Sequence, residues 1–171
     1  MEIQKLIKVV CDAIQKAELH INYYKSKLLD FFRYLIYCNG KALTDNQIKI
    51  MKMMQDDSYS KIFLNVLPMR LGQLVAQYEA MNTDGVTLTY RMEEELVYTI
   101  TFFQLMVSLI DDQCKVNSGK LIKKFPFETL VANIERAGRC WPLKRNLRAL
   151  LNRLYYFEPE VETYMSFIID K

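Results

Sequence analysis

The stretch that decides the fold is EEELVYTITFFQLMVSLIDD, residues 93–112. Its apolar residues recur at helical spacing, with one stripe formed by Leu96, Ile100, Phe103, Val107 and Ile110. The stripe is widened to most of the circumference by Phe102, Leu105, Met106 and Leu109. A helix that is apolar nearly all round is buried between neighbours. We therefore predict a central, buried helix over residues 93–112.

The same spacing continues on both sides of this helix. Further apolar stripes run from Leu28 to Ile36, from Phe127 to Ile134 and from Leu147 to Leu154. Together with the turn signals, the pattern predicts helices over residues 3–17, 22–37, 45–54, 58–80 (one helix, or two broken at Pro68), 93–112, 126–137, 142–156 and 159–169. The fold class is therefore all-α.

Helices of this length joined by short turns are typical of armadillo and HEAT repeats, and we expect an α-solenoid segment. Residues 1–171 form one helical-repeat domain in this interpretation, with sub-blocks 1–80 and 91–171 joined by a polar connection at 81–90. Both ends of the sequence are apolar, whereas the terminal repeats of a self-standing solenoid carry polar outer faces. We expect the chain to be a segment of a much larger protein.

Turn-forming residues separate the predicted helices. Asn39-Gly40 is expected to end the second helix as a C-cap with Gly40 in the left-handed conformation. Thr44 or Asp45 is expected to cap the next helix. A further break is predicted at Asn117-Ser118-Gly119.

Composition narrows the class of protein. Apolar residues make up 51% of the chain and charged residues 25%, with 5 Gly and 4 Pro, which excludes a disordered polymer. No apolar run reaches the roughly 18 residues of a membrane span, and no secretory signal is recognisable. The four cysteines have no CxxC pair, which argues against zinc. Cys11 and Cys38 lie in helical apolar patterns that predict buried or semi-buried free thiols in a reducing compartment.

Catalytic patterns are weak. The single histidine, His20, is expected to lie at the surface or at a helix end, and acidic doublets such as Asp111-Asp112 are more typical of solvated faces or caps than of acid/base pairs. EF-hand, P-loop and GxGxxG patterns are absent. We expect no enzymatic activity, no catalytic residues, no metal and no cofactor.

The sharpest charged feature lies between residues 120 and 153, which include nine basic residues and only two acidic ones. Within it, Lys144, Arg145 and Arg148 lie opposite the apolar stripe of their helix, and we take these three as a candidate interface. A solvated face, a protein interface and a phosphate or nucleic-acid site all remain open. Nucleic acid is the least favoured because no aromatic residues are interleaved on that face.

Two blocks of the sequence carry a recognisable order of motifs. The first block runs from Leu29-Asp30 through Cys38-Asn39-Gly40 to Leu43, with Asp45-Asn46-Gln47 after it. The second runs from Glu95-Leu96-Val97-Tyr98 to Leu154 and includes Pro142-Leu143, Leu147-Arg148 and Leu150-Leu151. Together they resemble the helical domain shared by inositol trisphosphate receptors and ryanodine receptors. The Cys38-Asn39-Gly40 turn is closer to the ryanodine branch. The connection from Ile62 to Glu93 is short and has no inserted β-rich domain, which is closer to the inositol trisphosphate branch. We favour this branch, because a domain insertion is harder to mimic by chance than a three-residue turn.

The resemblance implies a non-catalytic, armadillo-like cytosolic segment of a calcium-release channel that transmits ligand binding toward the pore. The expected location is the cytoplasmic side of the endoplasmic reticulum membrane, and the expected partners are other domains of the same polypeptide and neighbouring subunits of a homotetramer. The membrane is reached only through regions outside this chain. No ligand residue is transferred, because the family's ligand-gripping residues lie outside this segment. The main alternative is a stand-alone α-helical adaptor; a basic nucleic-acid binder and a disulfide-bonded secreted cytokine are weaker alternatives.

Overall fold

The computed structural model describes residues 3–16, 22–56, 76, 90–138 and 140–155. Within them it contains seven α-helices, which are α1 (Ile3–Lys16), α2 (Asn22–Ile36), α3 (Thr44–Met54), α4 (Tyr90–Leu109), α5 (Lys115–Lys124), α6 (Phe127–Arg136) and α7 (Trp141–Tyr155). Two short strands, β1 (Tyr37–Cys38) and β2 (Lys41–Ala42), form a hairpin between α2 and α3. The all-α prediction is confirmed for the described residues.

Several predicted features lie outside the described residues. These are the helices expected over residues 58–80, apart from residue 76, and over 159–169, together with His20 and the connection over 81–90 apart from its last residue, which begins α4. The helices on either side of that connection share one core, since buried residues of α1, α2 and α3 pack with those of α4, α6 and α7.

Helix α4 is the central element, as its sequence predicts. It packs along α2 and also contacts α7 and α3. Burial is concentrated in its second half, where Phe102, Phe103 and Met106 are almost completely inaccessible. The first half is more open, and Val97 is 43% exposed. The predicted stripe is thus buried at Phe103 and Ile110 but only partly buried at Leu96, Ile100 and Val107.

The other apolar stripes turn toward the same core. Leu29, Phe32 and Ile36 form the buried face of α2, with Leu28, Phe31 and Leu35 at its edges. In α7 the predicted stripe is entirely buried, at Leu147, Leu150, Leu151 and Leu154. Because these residues recur every three or four positions, α7 is left with its opposite face toward solvent.

The prediction that Asn39-Gly40 forms a helix C-cap is wrong. Helix α2 ends at Ile36, and Asn39 (φ 50°) and Gly40 (φ 76°) are the two central residues of a hairpin turn. Tyr37 pairs with Ala42 and Cys38 with Lys41. Positive φ at both central residues is the type I′ arrangement that Asn-Gly favours, because its twist matches that of the flanking strands. The left-handed conformation expected at Gly40 is present, but it serves the hairpin.

The hairpin also sets the start of α3. The backbone N–H of Leu43 donates to the carbonyl oxygen of Ile36 at 2.7 Å, which returns the chain to the end of α2. Helix α3 therefore begins at Thr44 with Leu43 at the N-cap position and no side-chain cap, so the predicted capping by Thr44 or Asp45 is wrong. Asn46 instead donates through Nδ2 to the carbonyl oxygen of Leu35 at 2.7 Å.

The predicted break at residues 117–119 is also wrong, because these residues lie inside α5. Asn117 is buried, and its Nδ2 donates to the carbonyl oxygen of Leu109 at 2.8 Å. Gln47 Nε2 donates to the carbonyl oxygen of Ser108 at 2.9 Å. The last carbonyls of a helix lack partners within it, so two amides from other helices satisfy the end of α4. The break lies earlier, at the 3₁₀ turn Asp111–Gln113.

All four cysteines are free thiols, and three of them are buried. Burial raises the pKa of Cys11 to about 12, with smaller contributions from the nearby charges of Asp12 and Asp56. Cys38 differs from the prediction, because it lies on the exposed hairpin and is itself exposed.

Candidate functional site

A groove of about 910 Å³ lies between α7 on one side and α2 and α4 on the other. Helix α7 contributes Trp141, Arg145 and Arg148 among others, and the opposite wall includes Arg33 and Gln104. We call this feature the α7 groove. Its four arginines are Arg33, Arg145, Arg148 and Arg153.

The apolar pattern of α7 accounts for the position of its arginines. Leu143, Leu147 and Leu150 face the core, and residues roughly halfway around a helix of 3.6 residues per turn face outward. Arg145 and Arg148 lie on this outer face and are exposed. The helix therefore presents cations along the groove as a direct consequence of burying its leucines.

Of the three candidate interface residues, Arg145 and Arg148 both line the groove. Lys144 does not line it: its Nζ lies 5.8 Å from the centre of the Trp141 ring and 3.5 Å from the carbonyl oxygen of Gly138. Consecutive residues on a helix point about 100° apart, which separates Lys144 from Arg145. The cation of Lys144 contacts the ring of Trp141.

Two of the groove's arginines have partners within the protein. Arg33 Nη1 donates to Asp30 Oδ1 at 2.9 Å and to Gln104 Oε1 at 3.0 Å, which joins α2 to α4. Arg153 forms an ion pair with Asp111. These arginines hold the walls of the groove in place.

Arg145 and Arg148 differ from the other two. Among the described residues, neither has a hydrogen bond or an ion pair with another side chain. A guanidinium group stays protonated at physiological pH and offers five N–H donors in a planar fork that suits carboxylates and phosphates. The two side chains are therefore free to bind an anion.

One end of the groove is built around Asp111. Its Oδ2 accepts a 2.7 Å hydrogen bond from the hydroxyl of Tyr37, and its backbone carbonyl accepts one from Gln47 Nε2 at 3.0 Å. Burial, followed by the neighbouring carboxylate, raises the pKa of Tyr37 above its usual value, so the phenol remains a neutral donor. The sequence indicated a solvated face or cap for Asp111-Asp112, whereas Asp111 links the hairpin, α3 and α7.

The other end of the groove is aromatic. Trp141, the chain's only tryptophan, is 67% exposed at the start of α7, beside Pro142. A large exposed aromatic ring next to free arginines is a common feature of protein interfaces, where Trp and Arg carry much of the binding energy. The groove thus combines an apolar end with two unpaired cations.

Sequence reasoning missed Arg33, Tyr37 and Trp141 as groove residues. Arg33 and Tyr37 come from a part of the chain more than 100 positions before α7, and no spacing rule connects them to it. Trp141 carried a signal in its position directly before Pro142 and one turn before Arg145.

No protein-family model, no curated protein and no solved structure matches this chain. The described helices include none long and apolar enough to span a membrane. Within the same residues, no group of three or more His, Cys, Asp and Glu side chains could hold a metal ion.

Proposed function

We propose that this chain is a non-catalytic helical segment that docks an acidic surface of a neighbouring domain or subunit through the α7 groove. The observation that carries the proposal is the pair Arg145 and Arg148, which line a groove and have no partner among the described residues. Exposed cations of this kind steer association and select partners of opposite charge.

The larger context of the proposal is an intracellular calcium-release channel of the inositol trisphosphate receptor type. Its support is the sequence resemblance in the blocks beginning at Leu29 and Glu95. In that context the helices belong to an armadillo-like solenoid on the cytoplasmic side of the endoplasmic reticulum membrane. The segment passes ligand binding toward the pore of a homotetramer, and its partners are other domains and subunits of the channel. The alternative, a stand-alone helical adaptor, would use the same groove on a separate protein.

The test is calcium flux through the full-length protein that contains this chain, with Arg145→Glu and Arg148→Glu combined. Reversing both charges is expected to weaken docking and lower agonist-evoked release at equal expression. Folding should change little, because exposed charges contribute about 0–1 kcal/mol.

Two matched variants control for charge alone. Lys115→Glu with Lys123→Glu reverses two exposed charges on α5 that do not line the groove. One change is in the first turn and the other in the last, so their effects on the helix dipole have opposite signs. Lys144→Glu tests the candidate residue that lies outside the groove. Wild-type flux from the arginine variant, or an equal loss from the α5 variant, would contradict the docking role.

A further inference from the structure

One row of side chains on the α7 wall of the groove follows a regular spacing. Trp141, Arg145, Arg148 and Asn152 line the groove and lie at positions i, i+4, i+7 and i+11 of one helix. With a rise of 1.5 Å per residue, this row is about 16 Å long. The row therefore has an aromatic end at Trp141 and a polar end at Asn152.

This spacing suits an extended peptide. Side chains on the same face of an extended strand are about 6.6 Å apart. Along the α7 axis the steps from Trp141 to Arg145, on to Arg148 and on to Asn152 are about 6, 4.5 and 6 Å. A strand lying along the helix would bring every second side chain close to the next member of the row, with an accumulated difference of about 3 Å that the long arginine side chains span.

The charges favour carboxylates on a peptide over a nucleic acid. Only Arg145 and Arg148 among the four groove arginines lack partners, whereas nucleic-acid binders neutralise many phosphates at once. Among the described residues two aromatic side chains line it, Trp141 at one end and Tyr37 at the other, where its hydroxyl is bound to Asp111. Stacking of successive bases needs neighbouring rings.

We infer that the α7 groove binds an extended acidic peptide, with carboxylates on alternate residues against Arg145 and Arg148 and an apolar side chain against Trp141. The inference rests on the docking role proposed above and adds the chemistry of the partner. Each guanidinium forms charge-assisted hydrogen bonds to one carboxylate. The apolar side chain packs on the indole ring, and this fixes the direction of the peptide.

The experiment uses a synthetic peptide whose alternate residues are leucine, glutamate, glutamate and asparagine, separated by serines. Because Trp141 is the only tryptophan, its fluorescence in the 171-residue chain reports binding at the groove. The expected result is a saturable change in tryptophan emission, with affinity that falls as salt is raised. A matched peptide with glutamine at both glutamate positions is expected to bind at least about tenfold more weakly.

Variants of the chain show where the peptide binds. Because one of them lacks Trp141, binding to the variants is measured by the fluorescence anisotropy of a labelled peptide. Arg145→Gln with Arg148→Gln is expected to weaken binding about tenfold or more. Lys115→Gln with Lys123→Gln should bind like the wild type, and circular dichroism checks the fold of each variant. Trp141→Ala should weaken binding of the leucine-bearing peptide but not of a peptide with serine in that place.

Four results would overturn the inference. They are no binding of the acidic peptide, equal binding of the glutamine and glutamate peptides, wild-type affinity in the arginine variant, and tighter binding of a single-stranded oligonucleotide than of the acidic peptide. The flux experiment is independent of this one. If the peptide fails to bind while the arginine variant still lowers flux, the docking role stands and the extended peptide is excluded; if both fail, the docking role fails as well.

Discussion

The hydroxyl of Tyr37 donates a 2.7 Å hydrogen bond to Oδ2 of Asp111, which lies 74 positions later in the sequence. The same carboxylate pairs with Arg153 of α7, and the next residue, Asp112, accepts a hydrogen bond from the backbone N–H of Ala42 at 2.9 Å. The hairpin after α2 is thereby attached to the turn after α4. This contact fixes one end of the α7 groove.

A double-mutant cycle measures this contact. Tyr37→Phe removes the donor and Asp111→Ala removes the acceptor, and the coupling between the two changes is expected to be about 1 kcal/mol. Free energies of unfolding from urea titrations give the four values required. Tyr34→Phe provides the control, because Tyr34 is 78% exposed and should show no coupling to Asp111→Ala. Equal coupling for Tyr34 and Tyr37 would contradict the assigned hydrogen bond.

Two glycines are expected to respond in opposite directions to alanine. Gly40 has φ 76°, and a Cβ there would meet no atom within 4 Å, so Gly40→Ala carries only the backbone cost of about 1–2 kcal/mol. Gly119 lies exposed inside α5, also with open space around it, and Gly119→Ala should stabilise by about 0.5–1 kcal/mol. Thermal unfolding of both variants tests this, and destabilisation by Gly119→Ala would place residue 119 outside a helix.

Periodicity predicted the helices well because it records which face is buried. The apolar stripe from Leu147 to Leu154 was enough to predict a helix there, and α7 spans Trp141–Tyr155 against the predicted 142–156. Residues whose type fits more than one local structure were harder to interpret. Asn39-Gly40 fits both a C-cap and a hairpin turn, and only the pairing of Tyr37 with Ala42 decides between them. Asn117 indicates a turn by its type, but its amide is occupied by the end of α4.

Only part of the candidate site could be predicted from the sequence. Arg145 and Arg148 could be placed on one outer face of α7, because the leucines define the other. The groove itself depends on how α2 and α4 pack beside α7, which brings in Arg33 and Gln104 from distant positions. Lys144 illustrates the opposite case, since it is close to Arg145 in sequence but contacts the Trp141 ring outside the groove.

The four cysteines should differ sharply in reactivity. Cys38 is exposed on the hairpin, while Cys11, Cys114 and Cys140 are buried. We expect a disulfide reagent at pH 8 to modify one thiol rapidly in the folded chain and the remaining three only after unfolding. Cys38→Ser should abolish the rapid phase and leave the slow one. Rapid modification of two or more thiols would contradict the burial of the other three.

Phe103 is expected to be one of the most sensitive core positions. Its ring lies 5.8 Å from that of Phe102 and 6.0 Å from that of Phe125, and only 1% of the residue is exposed. Phe103→Ala should cost about 3–5 kcal/mol through lost burial and the cavity that remains. Val97→Ala, on the exposed part of the same helix, should change stability by less than about 0.5 kcal/mol. Similar losses for both variants would indicate that α4 is rotated from the described orientation.

The last prediction concerns pH and Cys11. Burial raises its pKa in the folded chain to about 12 from an ordinary value of 9.0, so above pH 9 the unfolded chain loses a proton that the folded chain retains. The stability linked to this thiol is fully present below pH 9 and is lost as the pH rises toward 12. At about pH 10.5 the loss is about 2 kcal/mol, since each pKa unit corresponds to about 1.36 kcal/mol.

Tyrosines titrate in the same range, so the test compares urea unfolding of the wild type and Cys11→Ala at pH 7 and 10.5. The alanine variant is less stable at pH 7, and the gap should shrink by about 2 kcal/mol at the higher pH. A gap that stays the same at both pH values would show that the Cys11 thiol titrates alike in the folded and unfolded states.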